Sequence, residues 1–112
     1  MSTSLTLASS LRPDGTHVLV AAGEIDMSNI EAFNEGLAAA ISGSGGSETT
    51  LILDLSTVTY LDSTAITALF DNADHISIVA HPHLMDVFTV SGLTELIDVE
   101  PAPQATEPQG SG

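Results

Sequence analysis

The sequence contains no cysteine and no tryptophan, and Arg12 is its single basic residue apart from four histidines. Without cysteine, the chain forms no disulfide and no thiolate metal site. Its 15 acidic residues give a formal net charge of −14, so it offers no basic surface to the phosphates of a nucleic acid. The same charge disfavours an anionic membrane surface. We therefore expect neither nucleic acid nor a membrane as a partner.

Long apolar runs are also absent. The longest ones, such as residues 18–22, are far too short to span a bilayer, and the N-terminus lacks the basic segment of a secretory signal. The sequence therefore predicts a cytoplasmic protein. Its acidity suits a partner with a positively charged face, although it is equally consistent with a simple role in solubility.

The length of 112 residues is enough for one domain with one core and too short for two. Apolar residues make up 43% of the chain, which favours a packed globule despite the charge. We predict a single domain over residues 1–100. Residues 101–112 are dominated by proline, glutamine, glycine, alanine and glutamate without an apolar pattern, which predicts a disordered tail.

Alternation of polar and apolar residues predicts a hairpin at the start of the chain. Leu5, Leu7 and Leu11 fall on alternate positions of a half-exposed strand, and residues 12–15 have the composition of a turn. The apolar run over residues 17–22 then predicts a second strand, which pairs antiparallel with the first.

Beyond the hairpin, predicted helices alternate with predicted strands. Apolar residues with helical spacing predict a first helix through Ile30, Phe33, Leu37, Ala40 and Ile41. Later segments predict a strand at 51–55, a helix at 64–72, a strand at 76–80, a helix from Pro82 and a short strand at 97–99. We therefore predict an α/β fold, in which a mixed β-sheet with an opening antiparallel hairpin and then parallel strands is packed by helices.

The junction between the strand at 51–55 and the following helix is the most informative part of the chain. Asp62, Ser63 and Thr64 lie there, and the side-chain oxygens of these residue types commonly cap helix N-termini. A helix N-terminus also favours an added anion, because of its free N–H groups and its dipole. Ser63 or Thr64 is thus a candidate phosphoacceptor, while simple capping is the more common role of such residues.

No residue pattern predicts a catalytic site. Ser63 has no neighbouring histidine and no GxSxG motif, which makes it a poor acyl nucleophile. Glu24 and Asp26 form a carboxylate pair without any partner group, so they are poor candidates for acid–base catalysis. The residue patterns therefore predict a protein that is not an enzyme.

Neither a nucleotide site nor a metal site is predicted. The glycine-rich residues 42–47 indicate a flexible connector, because they lack the Lys-Ser/Thr of a phosphate-binding loop. His81 and His83 flank Pro82, but two further metal ligands would have to come from elsewhere in the chain. We expect no cofactor and no metal.

Three landmarks of a known family occur in order along the chain. Leu53-Asp54-Leu55-Ser56, then Val58, then Leu61-Asp62-Ser63-Thr64-Ala65 resemble the central signature of the STAS domain family, specifically the bacterial anti-sigma factor antagonists. Gly23-Glu24-Ile25-Asp26 upstream and Val90-Ser91-Gly92-Leu93 downstream match the other two landmarks. The resemblance covers most of the predicted domain.

The resemblance implies a fold with its helices mainly on one face of the sheet, and a function in transcription control. It implies that Ser63 is phosphorylated by a partner anti-sigma factor that is itself a GHKL-type serine kinase. The unphosphorylated form would bind this partner and free a sigma factor, and phosphorylation would release the partner. The environment of the phosphosite and the partner-docking edge would comprise Glu24, Asp26, Asp62, Thr64 and Ala65. For Asp26, a purely local role as the cap of the first helix is an equally open alternative.

The chain departs from the family pattern in two places. Ala65 stands where relatives usually have glycine, and the segment between Ser63 and Ile76 leaves room for a shorter second helix than relatives have. Two alternative functions stay open beside the antagonist role. One is a non-phosphorylated STAS accessory or scaffold subunit of a transport or signalling complex. The other is a small-ligand sensor that uses a pocket at the sheet edge.

Overall fold

The computed structural model describes residues 4–43 and 50–102. Most of the predicted glycine-rich connector and residues 103–112 of the predicted tail lie outside these ranges. The main elements are β1 (Leu5–Leu11), β2 (His17–Ile25), α1 (Ile30–Gly43), β3 (Leu51–Leu61), α2 (Ser63–Asp71), β4 (Ile76–Ala80), α3 (Met85–Ser91) and β5 (Val99–Pro101). Short 3-10 helices span Ala73–His75, Pro82–Leu84 and Leu93–Glu95.

The five strands form one sheet in the order β1-β2-β3-β4-β5. β1 and β2 pair antiparallel, and every later pair is parallel. The hairpin between β1 and β2 closes through the Arg12 N–H, which donates to the Thr16 carbonyl at 2.8 Å. This arrangement confirms the predicted mixed sheet with an opening hairpin.

One face of the sheet is buried beneath the helices. Alternate residues of β3, including Leu51, Leu53 and Leu55, point into a single core. All three helices contribute side chains to this core, among them Phe33, Leu37, Ala65, Leu69 and Phe88. The helices therefore cover the same face, as the family resemblance implied. No helix in the described residues is long and apolar enough to cross a membrane.

The opposite face of the sheet carries a mixed, partly exposed surface. Ile52, Asp54 and Val79 lie on it and are only partly buried. A groove of about 790 Å³ runs across this face, and Arg12 and Glu100 also line it. The groove is therefore separate from the helix-covered core.

The C-terminal strand starts later than predicted. The Ile97 N–H donates to the Leu93 carbonyl at 3.0 Å, so Ile97 belongs to a turn and its buried side chain joins the core. β5 runs instead over Val99–Pro101, and the Ala102 N–H donates to the Ala80 carbonyl at 2.7 Å. Sheet pairing thus continues past residue 100, where we predicted the domain to end. A proline is tolerated there because β5 is an edge strand.

Two glycines adopt a left-handed backbone next to β1 and β2. Gly15 lies in the hairpin turn with φ +93° and has open space where a Cβ would be. Gly23 lies in β2 with φ +105°, and a Cβ there would lie 2.3 Å from the Ser4 carbonyl oxygen. Gly23 is therefore required both by its backbone angle and by the close approach of the neighbouring chain.

We expect Gly23→Ala to lower the free energy of unfolding by about 3 kcal/mol, because backbone strain and a clash with backbone act together. Gly15→Ala is the matched control, and its strain alone should cost about 1 kcal/mol. Urea unfolding of both variants measures the difference. Equal losses in the two variants would contradict the close packing of Ser4 against Gly23.

Candidate functional site

Asp62 occupies the junction between β3 and α2 and caps the helix. Its backbone is extended, with φ −104° and ψ −173°, and Oδ1 accepts the Ala65 N–H at 3.1 Å. The same oxygen accepts the hydroxyl of Thr64. The Asp62 carbonyl accepts the Ile66 N–H at 3.1 Å and so begins the helical hydrogen bonds. The predicted capping role of Asp62 is thus its observed one.

The second oxygen of Asp62 reaches a different part of the chain. Oδ2 accepts the N–H of Met27, which lies in the loop between β2 and α1, at 3.1 Å. The Asp62 N–H in turn donates to the Ile25 carbonyl at 3.1 Å. One residue therefore ties the C-terminal end of β2 to the start of α2.

These hydrogen bonds stabilise the ionised form of Asp62. The Thr64 hydroxyl has the largest effect, and together with the N–H groups of Ala65 and Met27 it holds the pKa of Asp62 below its ordinary value of 3.8. Partial burial acts in the opposite direction and raises this pKa. Asp62 is accordingly a carboxylate at neutral pH.

The two candidate hydroxyls at the start of α2 differ in their surroundings. The Thr64 hydroxyl donates to Asp62, and Thr64 is half-buried. Ser63 is exposed, and no hydrogen bond of its hydroxyl to another described residue occurs. Its carbonyl accepts the Thr67 hydroxyl at 3.0 Å, which fixes the first turn around it. Ser63 therefore presents the accessible hydroxyl at this end of α2.

Asp26 and Glu24 lie at the same edge of the sheet. Asp26 follows β2 directly, and its Oδ1 accepts the Ser28 N–H at 2.9 Å and the Ser28 hydroxyl at 2.6 Å. Asn29 links the two acidic residues, because its Oδ1 accepts the Asp26 N–H and its Nδ2 donates to the Glu24 carbonyl. Glu24 pairs in register with Tyr60 of β3. The parallel pairing of β2 and β3 thus places Asp26 beside Asp62, and Glu24 lies two residues earlier, beside Tyr60.

The site is acidic and has no strong cation near it. The chain's only arginine, Arg12, lies before the first residue of β2, whereas the site lies just after the last residue of β2. The rise of a nine-residue strand separates them by roughly 25 Å. Asp62 already uses the Ala65 amide of the first helical turn. A further anion on Ser63 would therefore be offset within the chain mainly by the dipole of α2, by about 0.3–1 kcal/mol.

Ala65 supports the site from the core side. It is fully buried and belongs to the hydrophobic cluster beneath the sheet. Alanine is favoured in helices, and its methyl group here fills core volume in the first turn of α2. Ala65 is thus part of the site's support and not of its exposed surface.

Sequence patterns did not identify two exposed apolar residues that flank the site. Met27 is 74% exposed and Tyr60 is 51% exposed. Met27 is held by its backbone to Asp62, and Tyr60 lies two residues before Asp62. One feature of the sequence could have identified Met27, because it is a large apolar residue inside the otherwise polar turn 26–29. Exposed apolar side chains beside a charged site are typical of protein interfaces.

The groove on the open sheet face does not belong to this site, since Glu24, Asp26, Asp62, Ser63 and Thr64 do not line it. Within residues 4–43 and 50–102, no cluster of three or more potential metal ligands occurs. The polar residues of the predicted site therefore lie along one edge around the start of α2, where Ser63 is exposed and the others are partly buried.

The chain belongs to the STAS domain family, because the family model described as "Mlab, STAS domain" matches residues 8–98. The match begins within β1 and includes β2, the central signature and the turn that ends α3 at Gly92. No curated protein matches the sequence.

Solved structures of anti-sigma factor antagonists share the fold. One from Mycobacterium paratuberculosis is 25% identical, with a TM-score of 0.77 over 88% of this chain and 87% of that chain. SpoIIAA in its unphosphorylated form is 18% identical, with a TM-score of 0.66 over 88% of this chain and 90% of that one. The phosphorylated form of SpoIIAA from Bacillus is 18% identical, with a TM-score of 0.61 over 88% of this chain and 93% of that one.

Replacing Asp62 by alanine should reduce the free energy of unfolding near neutral pH by about 1 kcal/mol, because the cap of α2 is lost. The folded-state pKa of Asp62 is lowered. The contribution of the Asp62 carboxylate to the free energy of unfolding is therefore complete above the pKa that Asp62 has in the unfolded chain. It disappears as the pH falls through the lower pKa of the folded chain. Urea unfolding at a series of pH values should show the wild type and Asp62→Ala converging in acid.

Asp71→Ala is the control for this experiment. Asp71 ends α2, where a negative charge opposes the helix dipole, so its removal should not destabilise the protein. A constant difference between wild type and Asp62→Ala at every pH would contradict a carboxylate role for Asp62.

Proposed function

We propose that this chain is an anti-sigma factor antagonist controlled by phosphorylation of Ser63. In this proposal the unphosphorylated chain binds an anti-sigma factor that is also a GHKL-type serine kinase, and a sigma factor is freed. The kinase transfers the γ-phosphoryl group of ATP to Ser63 Oγ, with release of ADP and of the hydroxyl proton. The phosphorylated chain then leaves its partner, which sequesters the sigma factor again.

The exposed hydroxyl of Ser63 is the observation that carries this proposal. It stands at the N-terminus of α2 on the edge where β2 and β3 end, while the neighbouring Thr64 hydroxyl is bound to Asp62. This difference supports Ser63 over Thr64 as the phosphoacceptor. The likeness to an antagonist at 25% identity supports the same role.

Release of the partner follows from charge. A phosphate on Ser63 adds about −1.5 to −2 charges at neutral pH. Asp62 is adjacent and Asp26 lies close by, and the chain has no lysine and only the distant Arg12 to neutralise it. At a contact with a partner, this charge would be buried without a counterion from the antagonist. A loss of about tenfold or more in affinity requires only about 1.4 kcal/mol.

A second candidate function is the non-phosphorylated accessory subunit. The observation that favours it is the description of the matching family model, which carries the name Mlab and not that of an anti-sigma factor antagonist. In this case Asp62 and Thr64 form a structural cap, and Ser63 is an exposed residue of a docking edge. The two functions differ in whether a charge at Ser63 changes partner binding.

Phosphorylation of Ser63 can be tested with purified candidate anti-sigma kinases and ATP. Trypsin is unsuited to this chain, since its only basic cleavage site, Arg12, precedes a proline. A protease that cuts before aspartate should release residues 62–70, in which mass spectrometry can assign the phosphate. We expect the phosphate on Ser63, its loss in Ser63→Ala and its retention in Thr64→Ala.

Partner binding distinguishes the two candidate functions. We expect Ser63→Glu to bind the kinase partner about tenfold or more weakly than the wild type, with Ser63→Ala close to wild type. If no kinase modifies the chain and a partner binds wild type and Ser63→Glu equally, the accessory function replaces the antagonist function.

Met27 should anchor the partner beside Ser63. We expect Met27→Ala to weaken partner binding about tenfold, because exposed apolar residues near the centre of an interface carry much of its energy. Leu96→Ala is the matched control, since Leu96 is 62% exposed but lies beside Phe70 and Asp71 at the end of α2 opposite Ser63. Isothermal titration of both variants measures the effect. Equal affinities for the two variants would place the docking surface elsewhere.

A further inference from the structure

β1 leaves one side of its backbone without a neighbour. The Glu24 N–H donates to the Ser4 carbonyl and the Arg12 N–H to the Thr16 carbonyl, so the even-numbered residues of this strand face β2. The odd-numbered residues therefore turn their N–H and C=O groups away from the sheet. β1 is the first strand of the sheet order, and no strand of the described residues covers this side.

The free edge lacks the features that usually prevent strand addition. β1 contains no charged residue and no proline, and its seven residues pair with β2 in a continuous register without a bulge. Charges, prolines and bulges are the common protections of such edges. The chain has a net charge of −14, but its first acidic residue, Asp14, lies beyond β1. The edge strand therefore carries none of the acidic residues of the chain.

We propose that β1 pairs antiparallel with β1 of a second copy of this chain, with the two-fold axis at Ala8. The sequence Leu5–Leu11 is self-complementary about this residue. The register places leucine opposite leucine at the ends, threonine opposite serine, leucine opposite serine, and alanine opposite alanine. Threonine and serine opposite one another are a favourable cross-strand pair. The two sheets then form one continuous sheet of ten strands.

The side chains beside the edge suit an added strand. Leu11 is 62% exposed, and in this register it packs against Leu5 of the second copy on the helix-covered face. On the same face, a groove of about 390 Å³ lies between β1 and α1. Small residues of α1, including Gly36 and Ala39, line it and leave space next to the edge.

The charge of the chain sets the conditions for this dimer. Two copies carry a formal charge of −14 each, so their repulsion weakens association at low ionic strength and is screened by salt. Two paired strands bury less than the ~1,200 Å² of a stable interface, which indicates a weak, reversible dimer. This proposal does not rest on the function of Ser63, because β1 is not part of that site.

Single cysteines test the register directly, since the chain has none of its own. Ala8→Cys places two thiols opposite each other at a non-hydrogen-bonded pair, with Cα atoms about 4.5 Å apart, within reach of a disulfide. Ser10→Cys is the matched control on the same exposed face, with its two copies about 14 Å apart. Under mild oxidation, Ala8→Cys should form covalent dimers about tenfold faster than Ser10→Cys. Equal rates, faster linkage through Ser10→Cys, or linkage in neither variant would overturn the proposal.

Sedimentation of chains without cysteine provides an independent measurement. The mass of the wild type, 11.5 kDa as a monomer, should rise towards twice that value with protein and salt concentration. Ser9→Pro removes an N–H that faces only the free edge, so it should stay monomeric with an unchanged unfolding midpoint. A wild type that stays monomeric at all concentrations and salt levels would overturn the dimer and leave the edge for a strand of another protein.

Discussion

The site depends on the hydrogen bonds that the carboxylate of Asp62 accepts. One oxygen caps α2 and the other holds the loop that follows β2, so two segments far apart in sequence keep a fixed relation. Because the aspartate is ionised and both its oxygens accept hydrogen bonds, an asparagine could supply only one of the two acceptors. The position of the Ser63 hydroxyl therefore follows from a single side chain beside it.

Much of the fold follows from local patterns in the sequence. The hairpin, the first half of β3 and the position of α2 are recognisable because alternation, turn residues and capping residues are short-range signals. The proximity of Asp26 to Asp62 also follows once β2 and β3 are taken as parallel neighbours. Residue patterns and the family landmarks together were thus sufficient to predict the edge of the sheet that forms the candidate site.

The remaining features depend on contacts that periodicity does not encode. Met27 is bound to Asp62 across 35 positions in the chain, so its role at the site is invisible in the sequence of its own turn. Ile97 has a strand-like composition, but tertiary packing places it in a turn against Leu93 and shifts β5 towards the C-terminus. Ser63 and Thr64 are equivalent by spacing, and they differ in the structure by their exposure and by the hydrogen bond from Thr64 to Asp62.

The proposed switch uses a single hydroxyl in each chain, that of Ser63, and this has a consequence for how the switch responds. Each copy is then modified once and independently of the others. The response therefore depends on the number of unmodified copies, and it involves no cooperative transition within the molecule. A partner would be neutralised by simple titration, and the threshold of the response would lie where the number of unmodified antagonists exceeds the number of partners. The cell would set that threshold through relative protein abundance, without any change in the fold.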